Sequence, residues 1–245
     1  MLTNFFELYD TIINTLPGDG TIESVLSGER WSLAESSAGS ALAMMTEGSS
    51  IHPMFPKGLS GMAISSVAQG IKSWNLEEAG LAIAAVNTLF NTERRLDELN
   101  CYLPIERHYT EGIDFCGKTV GLVGHMHGPR EMRAKAKAVY ILERCPQEGD
   151  YPDSACDYIL PQCDIVLITG STLVNKTLPH LLELCENAYT VLTGPSVPMC
   201  PELMEHGIDR LAGLCVTDPE GLRAHVIHGR PGSPFGFGKP FVLTK

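Results

Sequence analysis

Thr119-Val-Gly-Leu-Val-Gly-His-Met-His-Gly-Pro-Arg130 is the stretch on which the reading of the fold turns. A short apolar run ends in a glycine turn, and a helical stretch follows at once. Pro129 suits the first helical position, where its missing N–H costs nothing. The same unit then recurs. Strand-like runs fall at 119–123, 138–142, 164–169, 188–192 and 210–216. Helical stretches fall between and after them, at 129–137, 154–160, 176–187, 201–207 and 219–227. Repeated strand-then-helix units of this length predict a parallel sheet wrapped by helices, a Rossmann-like α/β domain over 118–245. The Gly/Pro-rich tail, 230–245, is expected to wrap the surface.

Upstream the pattern is different. Phe5, Phe6, Leu8, Ile12, Ile13 and Leu16 repeat at helical spacing and stop at Pro17-Gly18. Two alternating runs, 21–26 and 30–33, meet at Ser27-Gly28-Glu29 and read as a hairpin, with 40–46 as a third strand. Helices are expected over 62–73 and 76–91, the second with Asn75 as N-cap and Glu77 and Glu78 in its first turn. Residues 1–100 therefore read as a small α+β domain. Residues 101–117 read as a connector, with room for one short helix in the polar stretch from 92.

The net charge of −11 is concentrated in the first half. Residues 1–116 carry 6 Lys and Arg against 15 Asp and Glu, and the remainder carries 12 against 14. An acidic half repels phosphate backbones, which argues against nucleic acid as a partner. The apolar run 81–90 is far short of the ~20 residues that a membrane helix needs. Eight cysteines are spread with no C-x-x-C pair, so they read as reduced thiols of a cytoplasmic protein. A homo-oligomer remains open.

Ligands of an open α/β sheet bind beyond the carboxyl ends of the strands. Those ends carry Gly124-His125, Glu143, Thr169-Gly170-Ser171-Thr172 with Asn175, and Gly194-Pro-Ser196. Glycines and hydroxyls gathered at strand ends make these the expected cofactor-binding residues. Glu143 lies 19 residues past Gly124, close to where an acid meets a ribose hydroxyl. The G-x-G-x-x-G pattern fails at Met126 and Pro129, which disfavours a nicotinamide dinucleotide. His125 is the expected acid/base group, because an unperturbed imidazole titrates near neutrality. Asn87, an amide in an apolar helix, and Arg130, at a helix start, are candidate cleft residues. His125 and His127 share one face of a strand exit and form a candidate metal pair, as do His225 and His228 on a helix. No nucleophile elbow, P-loop or H-E-x-x-H motif is present.

The run 160–178, Leu-Pro-Gln-Cys-Asp-Ile-Val-Leu-Ile-Thr-Gly-Ser-Thr-Leu-Val-Asn-Lys-Thr-Leu, resembles the heavy-metal chelation family, long catalogued as a domain of unknown function. Gly194-Pro-Ser, the stretch 207–213 and Val216-Thr-Asp218 agree with it, and 80–87 looks like the family's companion N-terminal domain. The resemblance implies an enolase-N-like domain joined to a Rossmann-like one, with a cleft between them. It implies a small-molecule partner in metal-chelator, pterin, flavin or siderophore metabolism, and keeps S-adenosylmethionine or a related nucleotide in play as cofactor. An enzyme of this kind would be a transferase, hydrolase or condensing enzyme. The competing reading is a non-catalytic heavy-metal-sequestering protein holding a transition metal.

Overall fold

In the computed structural model the described residues are 6–46, 48, 51–104, 106–126, 128–229 and 232–245. The first layer is an antiparallel sheet of β1 (Ile22–Ser27), β2 (Trp31–Ser36) and β3 (Gly39–Met44), in that order. Helix α1 (Glu7–Asn14), the single turn α2 (Ile64–Val67), a 3-10 segment (Ala68–Lys72), α3 (Leu76–Phe90) and α4 (Glu93–Glu98) accompany it. The expected helix over 62–73 is thus broken. Gly70 lies so close to Ala82 and Phe55 that a Cβ there would sit 3.0 and 3.1 Å from them, and the chain tightens as it passes. Asn75 does cap α3, its side chain accepting from the Glu78 N–H at 3.1 Å.

The large sheet holds seven strands in the order β10-β9-β8-β7-β4-β5-β6. These are β4 (Thr119–Val123), β5 (Ala138–Glu143), β6 (Tyr151–Pro152), β7 (Ile165–Thr169), β8 (Tyr189–Thr193), β9 (Arg210–Val216) and β10 (Gly238–Thr244). Helices α5 (Arg130–Lys135), α6 (Cys156–Ile159), α7 (Ser171–Val174), α8 (Leu178–Leu184) and α9 (Pro219–Ile227) connect them. The expected parallel sheet is therefore a mixed one. β4 to β9 run parallel, but β10, placed by sequence in a surface wrap, pairs antiparallel with β9 from Gly238↔Val216 to Thr244↔Arg210. Its Gly and Pro are edge-strand features rather than breakers. The ring of Phe241 occupies the space that a Cβ on Gly213 would fill, at 2.5 Å. The connector covers the outer edge of β10, with the Leu103 N–H donating to the Pro240 carbonyl and the Val242 N–H to that of Cys101. Pro129 also departs from its expected place: it caps α5 in an extended conformation, and Arg130 is the first helical residue.

The two halves share one interior. The largest apolar cluster takes in Leu8, Ile12 and Ile83 from the first half with Val174, Leu192 and Phe241 from the second. β2 is buried along nearly its whole length because both of its faces are covered. Ala34 and Ser36 face α3, while Trp31 and Leu33 pack with Leu214, Leu222 and Val226 of β9 and α9. Helix α3 is buried at all but two positions, Glu77 and Leu81, which explains its near-continuous apolar sequence.

The loop after β8 is bound to this helix through buried amides. Asn91 donates to the Val197 carbonyl at 2.9 Å and accepts from the Met199 N–H at 2.7 Å. Asn87 donates to the Ser196 carbonyl at 3.0 Å, and the Ser196 hydroxyl accepts the Met44 N–H at 2.8 Å. The Tyr9 hydroxyl reaches the Leu173 carbonyl at 3.0 Å.

Asn91→Ala leaves two backbone groups buried without partners and is expected to cost about 2–4 kcal/mol. Denaturant unfolding measures this, and an unchanged midpoint would refute the role. At the start of the large sheet the Asp164 carboxylate accepts the Thr119 N–H at 2.8 Å. That bond first, and the Lys118 ammonium second, hold its pKa below the ordinary 3.8. A lowered native value gives stabilisation that is complete above the unfolded pKa and lost as pH falls through the folded one. Asp164→Asn should flatten the pH dependence of stability below about pH 4 and leave it unaltered near neutrality.

Candidate functional site

A cavity of about 950 Å³ lies beyond the C-terminal ends of β4, β5, β7 and β8. Its floor is the run of strand exits: Val123-Gly124-His125, Leu142-Glu143, Thr169 with Ser171 and Thr172, and Thr193-Gly194. Asn175, after α7, reaches the same space. Of the expected site residues these strand-end groups converge, but four do not line the cavity. Gly170 is a packing position, where a Cβ would meet Val197 at 2.8 Å. Ser196 and Asn87 are buried in the contact between α3 and the loop after β8, spent on holding it. Arg130 lies exposed on α5, outside the cavity wall. His127, half of one candidate metal pair, falls outside the described residues.

Each turn at the rim has a local cause. Gly124 takes φ +99°, a conformation costly for residues with a side chain, and its missing Cβ leaves room for Thr169, whose Cγ2 would be 2.8 Å away. The glycine therefore serves the contact between β4 and β7. Glu143 uses both carboxylate oxygens on backbone amides. It accepts from the His125 N–H at 2.7 Å and from the Arg144 N–H at 2.7 Å. Since a carboxylate offers about four acceptor positions, room for a ligand hydroxyl remains.

The hydroxyls are partly engaged. Thr172 donates to the Thr169 carbonyl at 2.7 Å, and Ser171 donates to the Thr169 hydroxyl at 3.2 Å. Thr169 thus keeps a proton to donate. Asn175 accepts from the Thr177 N–H and hydroxyl through its Oδ1 and keeps its NH₂ without a partner among the described residues.

Several wall residues have no counterpart in the sequence reading. Trp31 and Met44 come from the small sheet and Arg30 from its β1–β2 turn, Arg107, His108 and Tyr109 from the connector, and Phe235 and Phe241 from the C-terminal segment. No local motif marks them, because they reach the cavity only when the small sheet and β10 dock on the large one. Asp150 was also missed. Its Oδ2 lies 3.1 Å from His125 Nδ1 and accepts the Gln147 N–H at 3.0 Å. Its signal was an acid in a glycine turn, Gln147-Glu-Gly-Asp150, one loop past the second strand end.

The described donor set does not fit a resident metal ion. Among the described residues no three His, Cys, Asp or Glu side chains converge on one point. Six thiols are buried, and burial pushes them up to about 11 at Cys101, Cys156 and Cys163 and about 12 at Cys185, Cys200 and Cys215. A metal binds the thiolate, which burial disfavours. His225 is packed against Phe237 with Nε2 unpartnered among the described residues, and no third donor among them joins it and His228.

Comparison with known proteins agrees with this architecture. A crystal structure of a DUF364-family protein of unknown function from Desulfitobacterium hafniense is 33% identical, with a TM-score of 0.86 over 100% of this chain and 99% of that one. Another of the family, from Pyrococcus horikoshii, is 23% identical, with a TM-score of 0.74 over 97% of this chain and 100% of that one, and shares the fold. An uncharacterised protein of Methanocaldococcus jannaschii is 29% identical over 155 residues, 60% of this chain and 58% of that protein. Two family models, both described as "Putative heavy-metal chelation", match residues 9–90 and 113–237. The chain belongs to that family, a mixed α/β fold of a small N-terminal sheet unit and a larger mixed sheet.

Proposed function

We propose that the protein binds a small, partly planar organic anion in the cavity at the strand ends and acts on it as an enzyme. One observation carries this reading. Turns from four parallel strands, those after β4, β7 and β8 bearing glycines or hydroxyls and that after β5 bearing Glu143, open into a single space of about 950 Å³, a size suited to a drug-sized or cofactor-sized guest. The wall is mostly apolar and aromatic, through Trp31, Tyr109, Met126, Phe235 and Phe241, with a few directed polar groups.

The preference for an anion rests on charge. The chain carries 29 Asp and Glu against 18 Lys and Arg. Even so, Arg30 and Arg144 line the cavity with no carboxylate partner among the described residues. Guanidinium pairs suit carboxylate or phosphate oxygens in a planar, bidentate manner. The unspent Thr169 proton and the Asn175 NH₂ supply donors to the same guest, and His125 is its acid/base group.

The large sheet is read here as Rossmann-like, since β6-β5-β4-β7-β8-β9 reverses direction of growth between β4 and β7, where such sheets bind ligands. The small unit is read as enolase-N-like, with no enolase chemistry attached. The family's link to heavy metals is met most simply by an organic chelator, pterin, flavin or siderophore-like molecule as guest, handled in the cytoplasm. S-adenosylmethionine or another nucleotide is the second candidate, favoured by Glu143 at the exit of β5.

Native mass spectrometry of the purified protein should reveal a copurifying small molecule that is lost from Ser171→Trp, a variant that fills the cavity. The same bound guest mass on both proteins would overturn the reading. Calorimetric titration with S-adenosylmethionine decides the second candidate, and Asn175→Ala should weaken binding of whichever guest is captured roughly tenfold, about one lost hydrogen bond. Equilibrium dialysis against zinc should give no stoichiometric site.

A further inference from the structure

Two histidines on the cavity wall, His125 and His180, each pair with an aspartate, and the pairs are built differently. His180 Nε2 is 2.9 Å from Asp157 and its Nδ1 is 3.6 Å from Glu183, with all three side chains more than half exposed. Water competes for every contact there, and either ring nitrogen can hold a proton. In the second pair the acid is enclosed. The Asp150 side chain is 4% exposed and His125 is 38% exposed, so the pair has a buried acid behind an accessible ring.

From this geometry we propose that Asp150 is a positioning residue that holds His125 as the Nδ1–H tautomer, leaving Nε2 as the proton-accepting atom of the cavity. The inference rests on the cavity being a ligand site, and it names the chemistry of the guest: a molecule with a removable O–H, N–H or activated C–H proton.

The electrostatics point the same way. The Gln147 N–H first, then His125 itself and the charge of Arg133, hold the Asp150 carboxyl below its usual range. An ionised carboxylate only accepts, so the ring nitrogen facing it must carry hydrogen. Neutral imidazole has one N–H, and fixing it at Nδ1 leaves the lone pair on Nε2. The turn is fixed from the other side as well, because Glu143 accepts the His125 backbone N–H at 2.7 Å. Three groups thus set the ring: a buried acid at Nδ1, a second acid at the backbone, and the Gly124 turn before it.

In the step this allows, the Nε2 lone pair takes the proton of the guest's X–H bond. The bonding electrons remain on X, and His125 becomes an imidazolium whose charge faces Asp150. The reverse transfer returns the same proton to the product, so atoms and charge balance with no added reagent. An ionised carboxylate held behind the ring stabilises the charged imidazole as it forms.

Nitrogen-15 NMR of the full-length chain with labelled histidine, at about pH 9 where ordinary imidazole is neutral, tests this without any ligand. The His125 signals, assigned by their loss in His125→Gln, should show Nδ1 protonated and Nε2 with a lone pair. In Asp150→Ala the proton should move to Nε2 in the larger share of molecules, while His180 is unaffected. A wild-type His125 protonated at Nε2, or a tautomer that Asp150→Ala leaves unmoved, overturns the proposal. If Asp150→Ala does not fold, the wild-type tautomer decides alone. Because no guest is present, failure here leaves cavity binding standing, and failure to capture a guest leaves the tautomer result standing.

Discussion

The structure depends on a buried seam of amide hydrogen bonds between α3 and the loop that leaves β8. A loop of irregular backbone cannot be buried unless its N–H and C=O groups find partners. Here Asn87, Asn91 and Ser196 supply them, and Arg95 adds a bond from its guanidinium to the Met199 carbonyl at 2.9 Å. Each bond is worth little in net terms, but an unmade one in this dry seam is expensive, so the set acts as a latch with one register. The exceptions are the Asn87 Oδ1 and the Arg95 Nε, buried without a partner among the described residues.

The seam decides where the cavity is. By holding β3 against Ser196 it sets the small sheet beside the strand ends, which brings Arg30, Trp31 and Met44 to the cavity wall. The other face of that sheet is locked by α9, where Arg223 pairs with Glu35 and bonds to Ser24. Apolar packing supplies most of the driving force, yet it is non-directional. Directional bonds at the seam are what turn a general collapse into a specific pocket.

At the exits of β4 and β5 two carboxylates serve the backbone before any ligand. Glu143 fixes the exits of β4 and β5 together, and Asp150 fixes the ring of His125 and the turn at Gln147. The acidic character of the chain is balanced in the pocket, where Arg30, Arg107 and Arg144 stand against Glu143, Asp153 and Asp157.

The central strands were legible because strands buried on both faces read as unbroken apolar runs bounded by glycine and polar turns, and 119–123 and 210–216 match residue for residue. The Asn75 cap was legible for the same local reason, since its bond spans three residues. β10 was not, because Gly238 and Pro240 are disfavoured in strands generally and tolerated at an edge, and only β9 defines that edge. Gly124, His125, Glu143, Thr169, Ser171 and Asn175 could be marked as strand-end groups from the alternation of elements. Ser196 and Asn87 looked the same by sequence, but their polar atoms were claimed across 109 residues of chain. By itself, then, the sequence determined the order of strands and helices and the chemistry at the strand ends, since those depend on neighbours a few residues away. Tertiary structure alone decided which polar groups face the cavity, which close the seam, and that Asp150 stands behind His125. Each of those choices is made by a partner that is distant along the chain and adjacent only after folding.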